Sequence, residues 1–397
     1  MRAPTRLFRS TSKMKIARVQ AFPLNVPVRV SLLGLDTTGS LSVCVVEVET
    51  EDGLRGHGIT GITEEQVIAA IVRDVAGPAL IGEDPVATER LWDKLYWLLS
   101  PRGQTGYAWH AIAALDIALW DIKGKALGLP LWRLLGGARD RVPVYATFGF
   151  SLFDREQLAA AASYWLQIGF GRLKMVVGHQ ALQRRDAPRP LSEVIREDAA
   201  RVRAVREALG PGVPLYVDAN CSLDLGHAVE LARSIEDCDI AFFEEPITQN
   251  DIPLMADMRN RTRIPLAAGQ NEGLAYRFRD MLLARAVDVL QPNVVISGGY
   301  TQCLRIAGMA AAFNVSIANG GAWAPWNMHL HAGLANGGLV EHHYLATLAC
   351  EQIFDGLPQP VDGFIALPQK PGLGFEPNMD AIREIARRPS SKGRGKG

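Results

Sequence analysis

Three oxygen-bearing side chains recur along the chain at intervals of 26 residues. Asp218 and Glu244 each directly follow a short apolar run, and Gln270 comes two residues after the end of a third run. The interval matches one strand–helix unit, and the carboxyl ends of strands in such an array lie at one level. Converging carboxylate and amide oxygens are ligands for a hard cation, so the spacing predicts a Mg²⁺ site formed by Asp218, Glu244 and Gln270.

The strands that position these side chains belong to a repeating pattern that begins near residue 142. Short β-branched or aromatic runs alternate with alanine- and arginine-rich segments of helical period, such as 197–209. Eight such units with right-handed crossovers predict a (β/α)₈ barrel, whose catalytic groups lie at the carboxyl ends of the strands. The predicted strands are 142–148, 172–177, 214–217, 241–243, 265–268, 287–290, 315–318 and 339–340.

The first third of the chain has a different pattern. Residues 42–49 alternate in part, Asp52-Gly53 is a hairpin turn signal, and 54–59 form the partner strand. Helices are predicted at 64–79, 87–99 and 107–127. We therefore predict an α+β capping domain that closes one mouth of the barrel. The predicted division is a disordered extension (1–13), the capping domain (14–135), the barrel (136–355), a C-terminal return to the capping domain (356–386) and a disordered basic tail (387–397).

The composition is that of a large globular protein and excludes two kinds of partner. The 397 residues are 48% hydrophobic and include 42 basic and 42 acidic side chains, so no bulk charge attracts nucleic acid. No apolar run approaches the roughly 20 residues of a membrane span. The five cysteines lack metal-binding spacing and indicate reduced thiols, so we expect a cytoplasmic protein that contacts neither nucleic acid nor membrane.

Four motifs together carry a resemblance to a known family. They are ALDIALWDIKGKALGLPLWRLLGG at 114–137, VDAN at 217–220, FFEEP at 242–246 and AAGQ at 267–270. With these motifs the chain resembles the mandelate racemase and muconate lactonizing enzyme branch of the enolase superfamily, from about Met14 to beyond the end of the barrel. The motifs are specific for the fold and the superfamily but say little about the reaction.

The resemblance implies a half-reaction in which a base removes the proton next to a substrate carboxylate and Mg²⁺ holds the resulting enediolate. It assigns the first two metal positions to Asp218 and Glu244. The third position, a glutamate in the family, is Gln270 here, whose amide oxygen can coordinate the ion without adding charge. Glu272 is the alternative third ligand.

The customary bases of the family are replaced in this sequence. The family's Lys-x-Lys at the end of the second strand reads Lys-Met-Val, so Val176 stands where the second lysine is expected. The histidine at the end of the seventh strand is replaced by Gly320 or Gly321, and its aspartate partner on the sixth strand by Asn293. The reaction must therefore use another base.

Three residues remain as catalytic candidates. Lys174 leads by elimination if proximity to Mg²⁺ lowers its pKa, although it could instead only pair with Asp218 or with the substrate carboxylate. His179 lies on the loop after the second strand, where a solvated histidine is the alternative. Glu341 aligns with the family glutamate that hydrogen-bonds the substrate carboxylate as a proton donor.

Candidates for substrate binding lie near the strand ends. Trp323 and Trp326 predict an aromatic wall suited to an apolar or ring-bearing acid, with a packed loop as the alternative. The leucine-containing segment 32–38 corresponds to the family's specificity loop, and the arginine-rich insertion 178–191 could cover the site. The substrate-binding candidates are Tyr145, Asn220, Asn293, Trp323 and Trp326.

Family habit favours dehydration of a hydroxy or sugar acid, because a dehydratase can work with one base and an acid on the same side. A racemase or epimerase of a 2-substituted acid is the alternative enzyme. A third hypothesis comes from another class: a degenerate member that binds a carboxylate or has a regulatory role without turnover. Barrels of this family resemble symmetric homo-oligomers, so we also expect self-association.

Overall fold

The computed structural model of the chain describes residues 14–101, 106–178 and 190–387. Its first part is a three-stranded antiparallel sheet in the order β1 (Ile16–Leu32), β2 (Leu35–Thr50) and β3 (Arg55–Gly61). The turn between β2 and β3 includes Asp52 and Gly53, and Gly53 has a φ of 82° that glycine adopts without strain. The predicted hairpin is confirmed, whereas the long strand β1 was not predicted.

Helices follow this sheet and pack on one of its faces. The predicted helix 64–79 is continuous but contains a π-helical turn at Val72–Ala76. The longest helix, Tyr107–Leu127, is almost entirely buried and ends at Gly128, whose left-handed φ of 68° accompanies a hydrogen bond from Leu129 N to Gly124 O at 2.9 Å. The helices of this part are Glu65–Ile71, Gly77–Leu80, Thr88–Leu99, Tyr107–Leu127 and Leu131–Leu134.

Eight parallel strands then form the predicted barrel. Seven lie side by side in chain order, and the eighth, β11 (Val340–His343), pairs with the first, β4 (Arg141–Gly149). The ring closes next to β10 (Ser316–Ile317), where Asn319 N donates to Leu339 O at 2.8 Å. The barrel strands are β4 (Arg141–Gly149), β5 (Leu173–Val176), β6 (Leu215–Asp218), β7 (Ile240–Glu244), β8 (Leu266–Ala268), β9 (Val289–Leu290), β10 (Ser316–Ile317) and β11 (Val340–His343).

Amphipathic helices connect the strands and cover the outside of the barrel. Several begin at an aspartate that accepts a hydrogen bond from the first turn, as Asp154 does from Gln157 N at 2.8 Å. The described helices are Arg155–Gln167, Leu191–Leu209, Leu225–Ser234, Ile252–Arg259, Ala275–Leu283, Gly299–Ala312, Ala324–Gly333 and Tyr344–Ile353. Short 3₁₀ turns occur at Glu236–Cys238 and Thr248–Asn250. None of the described helices is both long enough and apolar enough to cross a membrane.

The last segment of the chain returns to the capping domain. A two-stranded sheet joins β12 (Phe354–Asp355) to β15 (Glu376–Pro377), and the helix Met379–Arg387 packs against β1. Lys125 of the capping domain contacts Glu376 at 2.8 Å. The strands β13 (Pro360–Val361) and β14 (Phe364–Ala366) extend the sheet from the start of β4.

The capping helices are attached to the barrel by polar contacts as well as apolar packing. Trp92 Nε1 donates to Gly298 O at 2.8 Å, and Trp120 Nε1 donates to Thr301 Oγ1 at 2.9 Å. Asp116 accepts from Thr301 N at 3.0 Å and from Thr301 Oγ1 at 2.6 Å. These bonds seat the capping helices on the start of the helix Gly299–Ala312.

Candidate active site

The strand register places the first two predicted metal ligands side by side. Asp218 and Glu244 are directly opposite each other on β6 and β7, and Val176 is opposite Asp218 on β5. Gln270 follows β8 on the next strand around the ring. Since strand side chains alternate, Lys174 faces inward two residues below Val176. The structure therefore brings Lys174 and the predicted ligand set together in the barrel interior.

Lys174 lies at the centre of three carboxylates. Its Nζ is 3.0 Å from Asp218 Oδ2, 2.8 Å from Glu244 Oε2 and 3.0 Å from Glu341 Oε1. All four side chains are buried. Below them, the rings of Tyr145, Tyr216 and Phe242 fill the barrel and form an apolar floor.

Burial and charge act together on these groups. Burial alone lowers the pKa of Lys174, but Asp218, Glu244 and Glu341 raise it well above its ordinary value, so the side chain is an ammonium. Burial also raises the pKa of Glu244, and the neighbouring Asp218 adds to that increase while Lys174 opposes it. The base role predicted for Lys174 therefore requires that its proton first move elsewhere.

Glu341 has partners for both carboxylate oxygens. Oε1 accepts from Thr147 Oγ1 and contacts Lys174, and Oε2 accepts from Ala322 N at 2.6 Å. Burial would raise the pKa of Glu341, but Lys174 and these donors hold it below its ordinary value. Glu341 is thus an ionised carboxylate held rigidly against Lys174.

Gln270 is bonded through its amide nitrogen. Nε2 donates to Glu245 Oε2 at 2.9 Å and lies 3.4 Å from Asp218 Oδ2. Glu272, the alternative third ligand, is instead paired with Arg277 at 3.0 Å. Gln270 therefore lies at the predicted ligand set, and Glu272 is held in a separate ion pair.

Two glycines after β10 leave room beside these side chains. A Cβ at Gly320 would lie 2.8 Å from both Glu244 Oε1 and Gln291 Nε2, and one at Gly321 would lie 3.2 Å from Gln270 Oε1. Glu244 Oε1 and both polar atoms of the Gln291 amide are buried and have no hydrogen-bond partner among the described residues. The glycines thus border a cradle of unpartnered oxygen and amide atoms.

This arrangement fits a hard divalent cation. Asp218, Glu244 and Gln270 present oxygens from three adjacent strands, and a buried, unpartnered carboxylate oxygen at Glu244 favours a positive ion. The described residues include no group of three or more His, Cys, Asp or Glu side chains that could hold a metal, and the candidate third ligand Gln270 is an amide. The donor set carries one negative charge fewer than a tricarboxylate site.

Two predicted substrate-binding residues already have structural partners. Asn293 Nδ2 donates to Gly320 O at 2.8 Å and to Gly321 O at 2.9 Å, while its Oδ1 accepts from Asn327 Nδ2 at 3.0 Å. Tyr145 donates its hydroxyl to Asn319 O at 2.6 Å. As placed, Asn293 fixes the glycine cradle and Tyr145 lies in the floor under Lys174.

The tryptophans lie where the barrel meets other parts of the chain. The indole of Trp323 packs on β3, where a Cβ at Gly61 would be 2.5 Å from the ring, and Trp326 packs edge-on against Phe354 and Phe375. Both indoles are buried. In this structure the two tryptophans have the contacts of a packed loop, which was the alternative to an aromatic wall of the substrate pocket.

The other predicted residues differ in how closely they approach the site. Asn220 is half-buried with a φ of 46°, and its backbone N donates to Asp218 Oδ1 at 2.8 Å. His179 lies outside the described residues, as does most of the arginine-rich insertion 178–191. The segment 32–38 forms the tip of the hairpin between β1 and β2. Their roles stay predictions.

Three residues at the site were not selected from the sequence: Thr147, Glu245 and Gln291. Thr147 is opposite Lys174 across the β4–β5 pair, a register that sequence spacing alone did not reveal. Glu245 directly follows the candidate metal ligand Glu244, and the alternation of strand side chains predicts that it points away from the barrel interior. Gln291 directly follows Leu290 at the end of β9. A polar residue at a strand end was the sequence feature that could have identified it.

Comparisons with known proteins agree with this architecture. Residues 157–381 match the family described as Enolase C-terminal domain-like, and residues 13–136 match Mandelate racemase / muconate lactonizing enzyme, N-terminal domain. A (β/α)₈ barrel closed by an α+β capping domain, with acidic side chains at the strand ends, is thus an enolase-type fold. The chain belongs to the mandelate racemase and muconate lactonizing enzyme family of the enolase superfamily, as the motifs predicted.

Characterised relatives include more than one kind of enzyme. Arabinonate dehydratase of Saccharolobus solfataricus is 30% identical over 344 residues, which are 84% of this chain and 88% of that protein. D-galactarolactone cycloisomerase of Agrobacterium fabrum is 32% identical over 359 residues, or 86% and 90% of the two chains. A crystal structure of a racemase from Streptomyces coelicolor A3(2) with bound magnesium has a TM-score of 0.83 at 28% identity, covering 93% of this chain and 99% of that chain. The relatives thus include the predicted reaction class, dehydration of a sugar acid.

Proposed function

We propose that this chain is a Mg²⁺-dependent dehydratase of a sugar acid. One observation carries the proposal: Lys174 and Glu341 form a buried ion pair beside two carboxylates and an amide that suit a divalent cation. The sugar-acid class is supported by relatives that dehydrate arabinonate and galactonate.

Asp218, Glu244 and Gln270 would hold the ion. When bound, Mg²⁺ supplies positive charge next to the substrate carboxylate, where negative charge develops as the neighbouring C–H bond breaks. The chain's own contribution is a water-poor pocket in which that charge is weakly screened.

Lys174 and Glu341 would handle the protons of the reaction. The charges as they stand favour the ammonium and the carboxylate. With a divalent cation held by Asp218 and Glu244, the carboxylates that raise the pKa of Lys174 would be offset, and one proton would then pass over the 3.0 Å to Glu341, giving an amine and a carboxylic acid. The amine then takes the proton α to the carboxylate, and the acid returns a proton to the departing β-hydroxyl as water. The enol that remains becomes a keto acid.

The rest of the pocket favours dehydration over racemisation. A racemase needs proton-exchanging groups on both faces of the α-carbon, but the described positions that carry them in the family hold Val176, Asn293 and the glycine pair Gly320-Gly321. Dehydration can proceed with Lys174 and Glu341 on one side.

The test is a panel of aldonic acids, aldaric acids, their lactones and aryl-substituted hydroxy acids, incubated with Mg²⁺ in D₂O. Mass spectrometry would follow loss of water, and NMR would follow deuterium at the α-carbon. We expect water loss from at least one sugar acid in the wild type and none in Lys174→Met or Asp218→Asn.

The other outcomes point to specific alternatives. Conversion of a lactone without loss of water would identify a cycloisomerase, and α-deuterium with retained hydroxyls would identify a racemase or epimerase. Absence of turnover across the panel, with Mg²⁺ bound to the protein, would favour the degenerate binding protein.

A further inference from the structure

Glu245 has an unusual position next to the candidate metal ligand Glu244. It is fully buried, and its backbone has a φ of 42°, in the left-handed region that non-glycine residues seldom adopt. This conformation turns the side chain of Glu245 away from Lys174 and toward the residues after β8. Residues held in such backbone geometry often occur at functional sites.

Three side-chain amides donate to this carboxylate. Gln270 Nε2 lies 2.9 Å from Oε2, Asn271 Nδ2 lies 2.6 Å from Oε2, and Asn250 Nδ2 lies 2.8 Å from Oε1. A carboxylate accepts hydrogen bonds and has none to donate when ionised, so each amide must present its nitrogen. The three donors offset part of the cost of burying this charge, while burial and the neighbouring Asp218 raise the pKa of Glu245.

This requirement fixes the orientation of Gln270. If its amide were rotated by half a turn, the carbonyl oxygen would face Glu245 Oε2 at hydrogen-bond distance with no proton between them. Nε2 is held by Glu245 and lies 3.4 Å from Asp218 Oδ2, so Oε1 is left on the side of Gly321. The adjacent Gly320 borders the unpartnered Glu244 Oε1, and no described residue donates to Gln270 Oε1. The free atom of Gln270 is therefore the one that can coordinate a cation.

We infer that Glu245 is a positioning residue, which holds the Gln270 amide so that its oxygen, rather than its nitrogen, faces the cation. The inference rests on the proposed metal site. It also explains why a glutamine can occupy position 270, where the family has a glutamate. A glutamate at position 270 would oppose Glu245 with a second carboxylate, whereas glutamine and glutamate form a matched donor–acceptor pair. The pair Glu245–Gln270 thus acts as a unit.

A double-mutant cycle of Mg²⁺ affinity tests the unit. The full-length protein, freed of metal with a chelator, is titrated with MgCl₂ by isothermal titration calorimetry as the wild type, Glu245→Gln, Gln270→Glu and the double swap. Glu245→Gln should weaken binding by about 10- to 100-fold, the range seen when partners of metal ligands are lost. The double swap, which exchanges the two side chains, should bind at least about tenfold more tightly than the product of the single effects predicts.

Glu83→Gln is the matched control, since it removes a carboxylate charge from ion pairs with Arg90 and Lys94 in the capping domain and not from Gln270. We expect its Mg²⁺ affinity to stay within about twofold of the wild type, because partly exposed ion pairs contribute little. Thermal unfolding of every variant checks the fold. The double swap keeps an amide against a carboxylate, so it stays measurable if a single variant fails to fold.

The possible outcomes distinguish the positioning role of Glu245 from the metal site itself. Additive effects in the cycle, or a Glu245→Gln variant that binds as tightly as the wild type, would overturn the positioning role and leave the metal site intact. A wild-type protein that binds no Mg²⁺ would overturn the metal site and the inference together. Strong favourable coupling between positions 245 and 270 would establish the unit.

Discussion

Gln291 lies directly after β9 with its amide nitrogen and oxygen both buried and unpartnered within the described parts of the chain. An unsatisfied buried polar atom costs folding free energy, so a protein retains one where a ligand or ion completes it. The nearby unpartnered Glu244 Oε1 indicates that the same bound group would satisfy both side chains.

Replacement of Gln291 by methionine should therefore change stability and activity in opposite directions. We expect Gln291→Met to raise the free energy of unfolding by about 1 kcal/mol, because two unsatisfied atoms are removed at similar volume. The same change should lower kcat/KM by about 10- to 100-fold, as expected for a lost partner of a metal site. Urea unfolding and steady-state kinetics check both values. A variant that is destabilised and fully active would contradict this role.

Lys174 is expected to matter for stability before any catalysis occurs. Removing the cation in Lys174→Met leaves Asp218, Glu244 and Glu341 buried together, which should cost about 3–5 kcal/mol of unfolding free energy. Added Mg²⁺ should recover part of that loss, since it supplies positive charge to the same oxygens.

Urea unfolding with and without Mg²⁺ measures the Lys174 effect, and Lys94→Met provides the comparison. Lys94 pairs with Glu83 at 2.7 Å but is 41% exposed, so its removal should cost less than about 1 kcal/mol. Equal losses of unfolding free energy in the two variants would show that the buried Lys174 ion pairs stabilise the protein no more than an exposed ion pair does.

At the scale of elements, the contact between β3 and the helix Tyr107–Leu127 depends on glycine. A Cβ at Gly58 would lie 1.9 Å from Ala114 O, a backbone atom that cannot rotate away. A Cβ at Gly56 would lie 2.2 Å from Ala118 O. The strand and the helix can therefore approach this closely only because both positions are glycine.

We predict that Gly58→Ala destabilises the protein by about 3 kcal/mol, because the helix must move off the sheet to admit one methyl group. Gly39→Ala, on an exposed part of β2 with nothing near the added Cβ, should be neutral or slightly stabilising. Thermal unfolding of both variants makes the comparison. Similar unfolding temperatures for the two would rule out the close contact.

The same elements show what the sequence could and could not reveal. The barrel strands were predictable because each is a short apolar run between helical segments of regular length. The strand β1 was missed because Pro23 and Pro27 interrupt its pattern, and proline is tolerated there since β1 lies at the edge of its sheet.

At the site, the predicted ligand set and Lys174 were found from strand ends and family spacing. The role of Glu245 was hidden because a left-handed backbone reverses the alternation that a strand pattern assumes. The partners of Asn293 were hidden as well, because they are backbone carbonyls of a loop 27 residues away. Contacts of that kind follow from the closed ring and leave no local signal.

At the scale of the whole molecule, buried histidines should control stability in acid. Burial lowers the pKa of the side chain to about 3 in His57, His329 and His331, and to about 4 in His110 and His342. These residues are neutral in the folded protein, whereas an unfolded histidine titrates near 6.5. Their contribution to stability is therefore present above about pH 6.5 and is lost as the pH falls toward 3 or 4.

Asp116 acts in the opposite direction. Burial raises its pKa to about 7, so its contribution is present below the unfolded value and is lost as the pH rises through 7. Burial also raises the pKa of Asp121, Asp198, Glu244 and Glu245, so these acids oppose the buried histidines over the same pH range. The histidine contribution must therefore be isolated by substitution.

A single substitution can isolate the contribution of one buried histidine. His329→Leu removes one buried titrating group from the helix Ala324–Gly333, and its pH dependence should be shallower by about one proton, or about 1.4 kcal/mol per pH unit below pH 6. The measurement is the free energy of unfolding in urea at pH 8, 6.5, 5.5 and 5 for both proteins. Because the imidazole is neutral at pH 8 in either state, the two proteins should differ there only by packing. A variant with the wild-type slope would mean that His329 does not take up a proton on unfolding.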